Sequence, residues 1–183
     1  MDRGNHYEAA FEAYLQWHRL CYVAVDETRR SVLGETPVKN LDFIVCGEDG
    51  VRLLIDVKGR RFPAGPNTRP RCVWECWSTL EDVHGLEQWT RLFGPGSQAL
   101  LVFIYHLQPP MTVPEGTPDV WTFRGRTYLL RAIPATDYRQ HMRIRSSRWA
   151  TVSLPTAVFR ELVQPLQSFL PRSAPAVEEC SCW

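Results

Sequence analysis

Only two lysines occur among the 183 residues, and one of them, Lys58, closes the apolar run Leu53-Leu54-Ile55-Asp56-Val57-Lys58. Residues two apart on a strand project from the same face, so this run sets Asp56 beside Lys58. A second acid, Asp42, stands inside the apolar stretch 38–46, and a third, Glu8, stands in an opening amphipathic segment. A carboxylate buried among apolar residues is costly unless a cation or hydrogen-bond donors compensate it. Three acids and one ammonium could together hydrolyse a phosphodiester. Carboxylates hold a divalent metal that neutralises the scissile phosphate, and the ammonium positions or deprotonates the attacking water and offsets transition-state charge. Mg²⁺ takes oxygen ligands and keeps several waters, so two or three carboxylates on rigid elements suffice.

The elements that must position these residues follow from pattern. Tyr7, Phe11, Tyr14 and Leu15 form a helical stripe, which predicts a helix over 6–20. Strands are expected at 21–25, 38–46 and 51–57, the last two joined through the turn Glu48-Asp49-Gly50. Ser78-Thr79-Leu80-Glu81 reads as a capping box opening a helix that stops at Gly94-Pro95-Gly96. Residues 99–107 are almost wholly apolar, as in a strand buried on both faces. The order α-β-β-β-α-β predicts an α/β fold, a mixed sheet flanked by helices. Trp74, Trp77 and Trp89 are expected to anchor the second helix to the sheet.

Beyond residue 110 the texture changes. Residues 120–123 and 128–130 flank Arg124-Gly125-Arg126 as a hairpin, 155–170 reads as a late helix that Pro165 should kink or shorten, and 173–183 reads as a tail. The expected organisation is a core over 1–110, a hairpin-and-helix elaboration over 111–172 packed on it, and that tail.

Net charge is +1, so there is no overall pull toward polyanions, but the distribution is uneven. Arg60, Arg61, Arg69 and Arg71 lie in an acid-free stretch from Gly59 to Cys72, and between Asp119 and Ala150 seven arginines face two aspartates. Arg143, Arg145 and Arg148 belong to that second group. Such stretches suit a phosphate backbone, where they supply affinity rather than sequence reading. Neither a signal-peptide pattern nor an apolar run of membrane-spanning length is present, which makes a cytoplasmic location, no membrane partner and reduced cysteines the expectation. Cys72, Cys76, Cys180 and Cys182 would make a zinc site only if the tail folds back, and their spacings depart from the usual knuckle. His6, His18, His84, His106 and His141 show no ligand spacing, although His6 is close enough in sequence to Glu8 to line one cleft. There is no nucleophile elbow and no Gly-Lys phosphate loop.

The blocks Lys39-Asn40-Leu41-Asp42-Phe43-Ile44 and Leu54-Ile55-Asp56-Val57-Lys58-Gly59-Arg60 resemble those of the PD-(D/E)XK nuclease superfamily. The likeness is closest to small resolvase-like members and Holliday-junction resolvases, and it covers about residues 6–107. Glu8 stands before Tyr14-Leu15 as that family's opening Glu does, and Gln88 is similar to a Gln on the helix after the Lys strand. Asn40 departs from the pattern, which has Glu there. The resemblance implies a restriction-endonuclease-like fold and a Mg²⁺- or Mn²⁺-dependent DNA endonuclease, compatible with a homodimer. It places metal at Glu8, Asp42 and Asp56, water activation at Lys58, and orientation of water or phosphate at Gln88. The rival expectation is a nuclease-fold module that binds nucleic acid or assembles without turnover.

Overall fold

The computed structural model describes residues 5–25, 31–33, 36–47, 50–66 and 68–171. The elements run α1 (His6–Trp17), β1 (Cys21–Ala24), β2 (Ser31–Leu33), β3 (Thr36–Val38), β4 (Phe43–Cys46), β5 (Arg52–Phe62), β6 (Ser78–Thr79), α2 (Leu80–Phe93) and β7 (Ser97–Leu107). They continue with β8 (Val120–Phe123), β9 (Arg126–Pro134), α3 (Ala135–His141), β10 (Arg143–Ser146), β11 (Thr151–Ser153), α4 (Thr156–Leu162), β12 (Gln164–Pro165) and a 3₁₀ turn, Leu166–Ser168. The central sheet has the order β1-β4-β5-β7-β9-β12, with β8 paired to β9. Its neighbours are antiparallel except β5 and β7, which run parallel from Arg52↔Ser97 to Phe62↔Leu107. A parallel pair needs a long crossover, and α2 supplies it.

Alternation along β5 sorts the core into two layers. Leu53, Ile55 and Val57 face α1 and pack with Phe11, Leu15 and Phe43, while Leu54 and Phe62 face α2 and pack with Val83 and Leu86. β7 does the same, sending Leu100, Val102 and Ile104 to the first layer and Leu101, Phe103 and Tyr105 to the second. Its double burial is why the sequence shows a continuous apolar run there. Asp56 and Lys58 therefore belong to the α2 face.

The core order α1-β1-β4-β5-α2-β7 is the restriction-endonuclease-like arrangement expected, a mixed sheet with helices on both faces. Three local expectations need correction. The single strand over 38–46 is divided: β3 pairs with β2 in a separate ribbon, and only β4 enters the sheet. The chain between them crosses α2, where Trp89 Nε1 donates to Lys39 O at 2.9 Å, and a Cβ on Gly85 would lie 3.0 Å from that same oxygen. The capping box is displaced by one residue. Thr79 is the N-cap and Asp82 its reciprocal partner, while Ser78 lies in β6. The late helix ends at Leu162, and Pro165, lacking an N–H, sits in the short edge strand β12 against β9. The expected tail over 173–183 and the turn residues Glu48 and Asp49 lie outside the described residues.

α1 meets the sheet at Gly59. A Cβ built there would fall 2.2–2.8 Å from Tyr7 ring carbons, so only a glycine admits this approach. Gly59→Ala is expected to push the first turn of α1 off β5 and cost about 1–3 kcal/mol, as overpacking does. Urea unfolding measures it, and trimming Tyr7 to alanine in the same chain should recover part of the loss.

Candidate active site

The acid–lysine cluster forms where β4 meets β5. Phe43 pairs with Ile55 at the end of the β4–β5 ladder, and Asp42 immediately precedes it, just outside β4. Asp42 and Asp56 are each 3% exposed. The Asp42 N–H donates to Ile55 O at 2.9 Å, one residue off the β4–β5 register, while Oδ2 accepts from the Val57 N–H at 2.5 Å. Both bonds fix Asp42 against β5, its carboxylate held at the peptide that follows Asp56.

Lys58 Nζ lies 2.6 Å from Asp56 Oδ2 and 2.8 Å from Asp82 Oδ2. Asp82 was missed in the sequence. It is the third residue of α2, its Oδ2 accepting from Ser78 Oγ and from the Thr79 N–H, both at 3.1 Å, while its own N–H donates to Thr79 Oγ1 at 3.1 Å. The capping geometry that starts the helix therefore also aims a carboxylate at Lys58. Two signals for it were present: Thr79…Asp82 has the spacing of a cap, and Asp82 shares a helix face with Val83 and Leu86.

Two buried carboxylates, Asp56 and Asp82, flank one ammonium, and their protonation follows. Burial pushes Asp56 up to about 6, even though Lys58 pulls it down. Asp82 lies below the ordinary carboxylate value because the Lys58 charge and the cap hydrogen bonds outweigh its own burial. Lys58 is raised despite burial, because Asp56 and Asp82 both favour its charged form. The ammonium stays protonated through the neutral range, so here it donates and stabilises charge rather than acting as a base.

The donor set can be weighed against a divalent ion. Among the described residues no group of three or more His, Cys, Asp or Glu side chains is disposed to hold a metal. A fully caged ion does not fit. A hydrated Mg²⁺ or Mn²⁺ needs only one or two carboxylates and otherwise keeps water, a demand that Asp56 with one further carboxylate would meet. The buried Asp56 Oδ2 supports this, since it touches Lys58 yet has no hydrogen bond of good geometry.

The remaining expected site residues are dispersed. Glu8 accepts from Asn5 Nδ2 at 2.6 Å, and its helix packs on the face of the sheet opposite Asp56 and Lys58. Gln88 is half-buried on α2 and lines a shallow groove of about 360 Å³ with Lys39, His84 and Ala150. Arg60 is an interior residue rather than a surface one. Its guanidinium donates to Gly59 O and Trp77 O and lies 3.9 Å above the Trp77 ring. Arg61, Arg69, Arg71, Arg143, Arg145 and Arg148 are exposed, Arg71 pairing with Glu75 at 3.5 Å. Of the anchoring tryptophans, Trp74 stacks on Phe62 with ring centroids 3.7 Å apart. Cys72 is exposed, Cys76 is buried with its thiol toward Leu154 O, and Cys180 and Cys182 lie outside the described residues.

Folding also gathers histidines that sequence spacing left apart. On the α1 face the His6 and His106 rings stand 5.5 Å apart, with His6 Nδ1 3.0 Å from Tyr128 Oη. Burial, aided by Arg126, holds both imidazoles below their ordinary value.

Fold and site together define an α/β protein of restriction-endonuclease-like architecture with an Asp56-Lys58-Asp82 cluster between β5 and α2. Among solved structures, it is similar to Hjc, a Holliday junction resolvase from the archaeal hyperthermophile Archaeoglobus fulgidus. The identity is 14% and the TM-score 0.49, over 87% of this chain and 93% of that one. No family model matches the sequence, and no curated protein matches it. No helix among the described residues is long and apolar enough to cross a membrane.

Proposed function

We propose that this chain is a metal-dependent endonuclease that hydrolyses DNA phosphodiester bonds, branched or foreign DNA being the substrates to try first. The observation that carries this reading is Lys58 2.6 Å from the buried Asp56 on one strand, with the buried Asp42 carboxylate bonded to the Val57 N–H between them in sequence. Asp42 and Asp56 would hold Mg²⁺ or Mn²⁺, directly or through water; Glu8 is not placed in this set, because its helix packs on the other face of the sheet. The bound ion would neutralise the scissile phosphate and lower the pKa of a coordinated water. Lys58, fixed by Asp82, offers a permanent ammonium to the developing charge on phosphorus. Gln88 would orient a water or a phosphate oxygen from the groove beside α2. Exposed Arg61, Arg69, Arg71, Arg143, Arg145 and Arg148 would hold the backbone on either side, and cutting both strands would use a homodimer.

One observation favours a second reading. Lys58 is engaged by two carboxylates, as a purely structural ammonium would be. A nuclease-fold module that binds nucleic acid without cleaving it would look the same. Nicking of supercoiled and branched DNA in Mg²⁺ or Mn²⁺, lost in Lys58→Ala, supports the enzyme. Equal DNA binding by wild type and variant, with neither cutting in either metal, selects the module.

A further inference from the structure

We infer that the β10–β11 hairpin is a base-stacking element, in which Trp149 packs on unpaired bases of a DNA strand while Arg143, Arg145 and Arg148 hold its phosphates. The inference rests on the nucleic-acid reading above and adds which form of DNA the protein prefers.

Two large apolar side chains on this one short hairpin face water: Trp149 is 68% exposed and Ile144 is 74% exposed. An edge strand carrying exposed apolar residues invites aggregation unless a partner covers it. The partner's charge can be read from the surroundings. No acid occurs from Tyr138 to Arg160, and the stretch holds Arg139, Arg143, Arg145, Arg148 and Arg160. Arg139 is spent on Glu87, whereas Arg143, Arg145 and Arg148 are exposed. A polyanion that also presents flat apolar faces meets both requirements, and a strand of unpaired nucleotides is one. A duplex offers the same phosphates but keeps its base faces inside the stack. Stacking on an aromatic ring is sequence-tolerant, because every base has a π face.

The hairpin is braced against the acid–lysine cluster. β11 pairs with β6 through Thr151↔Thr79 and Val152↔Ser78, and the Leu80 N–H donates to Ala150 O at 2.8 Å. Ser78 and Thr79 are the residues that hold Asp82, and Asp82 holds Lys58. Arg145 lies 5.1 Å over the Trp77 ring, which also carries Arg60, so Trp77 is occupied. Trp149, which meets only the Arg148 guanidinium at 5.2 Å among its described aromatic contacts, is the ring left to stack. The groove bordered by Lys39, Glu81, His84 and Gln88 reaches Ala150, joining the hairpin's base to α2.

The test is fluorescence anisotropy in EDTA with a labelled single strand, its duplex, and that duplex carrying an unpaired flap. Trp149→Ala should weaken single-strand and flap binding about tenfold while leaving the plain duplex unchanged. Trp149→Phe should retain most of the affinity. Arg143→Ala and Arg148→Ala should weaken all three alike, each lowering the salt slope by about one. A fluorescent base analogue in the flap should be quenched by wild type and not by Trp149→Ala. The inference is overturned if Trp149→Ala leaves flap preference and quenching intact, or weakens duplex and flap equally. It is overturned too if that variant instead abolishes self-association, which would make a second copy of the chain the occupant. EDTA separates this test from cleavage. Trp149-dependent flap binding by a protein that never nicks DNA refutes the nuclease alone, and nicking with an unaltered flap preference refutes the hairpin alone.

Discussion

Lys58→Met is expected to destabilise the protein by about 3–5 kcal/mol at neutral pH, the usual result of removing one partner from a buried charge cluster. The magnitude follows from what stays behind. Asp56 and Asp82 would remain buried, 3% and 5% exposed, facing each other without the ammonium that now separates them. The methylene stem of methionine keeps the packing, so the loss reports charge rather than volume. Adding Asp56→Asn and Asp82→Asn to Lys58→Met should recover most of the stability, because a neutral polar cluster leaves no uncompensated carboxylate. Urea unfolding of wild type, Lys58→Met, the Asp56→Asn/Asp82→Asn pair and the triple variant gives the cycle. A loss below the range of an exposed pair, under about 1 kcal/mol, would show the cluster to be open to solvent. Under the enzyme reading, cleavage falls by at least about a hundredfold in Lys58→Met. The triple variant also lacks Asp56, so it reports on stability alone.

Asp56→Asn should do the opposite to stability, and the sign depends on pH. Burial pushes Asp56 up to about 6 from an ordinary 3.8, so the folded protein binds its proton more tightly than the unfolded chain does. The stability this contributes is complete below the ordinary value and is lost as pH rises through about 6. Ionised Asp56 therefore costs stability above that point, on the order of 3 kcal/mol at 1.36 kcal/mol per pKa unit. Asparagine, which cannot ionise, should match wild type at pH 4 and exceed it at pH 8. Asp82 works the other way. Its lowered value adds stability above the ordinary carboxylate range, lost as pH falls through that lowered value. Chemical unfolding from about pH 2 to pH 8 in EDTA checks both signs. A metal at this site predicts one more outcome. Mg²⁺ should raise the stability of wild type at pH 8 and leave Asp56→Asn unmoved, and wild-type cleavage should climb about tenfold per pH unit below 6. If wild type and Asp56→Asn respond to Mg²⁺ alike, metal is not held by Asp56.

The two predictions describe one trade-off. A carboxylate kept ionised in a buried strand pair weakens the fold, and a site that must attract a cation needs that unsatisfied charge. Asp42 avoids part of the cost by accepting the Val57 N–H, and Asp82 by capping α2. Asp56 has the ammonium alone among its described contacts, which is why burial raises it while Asp82 is lowered.

Much of this was legible without coordinates. Leu54-Ile55-Asp56-Val57-Lys58 states a strand with two polar positions on one face, and a period of two is a property of the backbone itself. The order of elements, the doubly buried β7 and the β8–β9 hairpin at Arg124-Gly125 follow from equally local patterns. What the chain order could not decide is which face of the sheet each helix covers. Glu8 and Asp82 each lie on a helix near β5, and the tertiary structure alone sets Asp82 against Lys58 and Glu8 on the far side. Arg60 and Arg145 illustrate the same limit, since an arginine-rich stretch reads as surface until packing around Trp77 draws one guanidinium inside and leaves the other at the rim. Local sequence specifies backbone period and capping; the pairing of faces depends on burying two apolar layers at once, a property of the whole sheet.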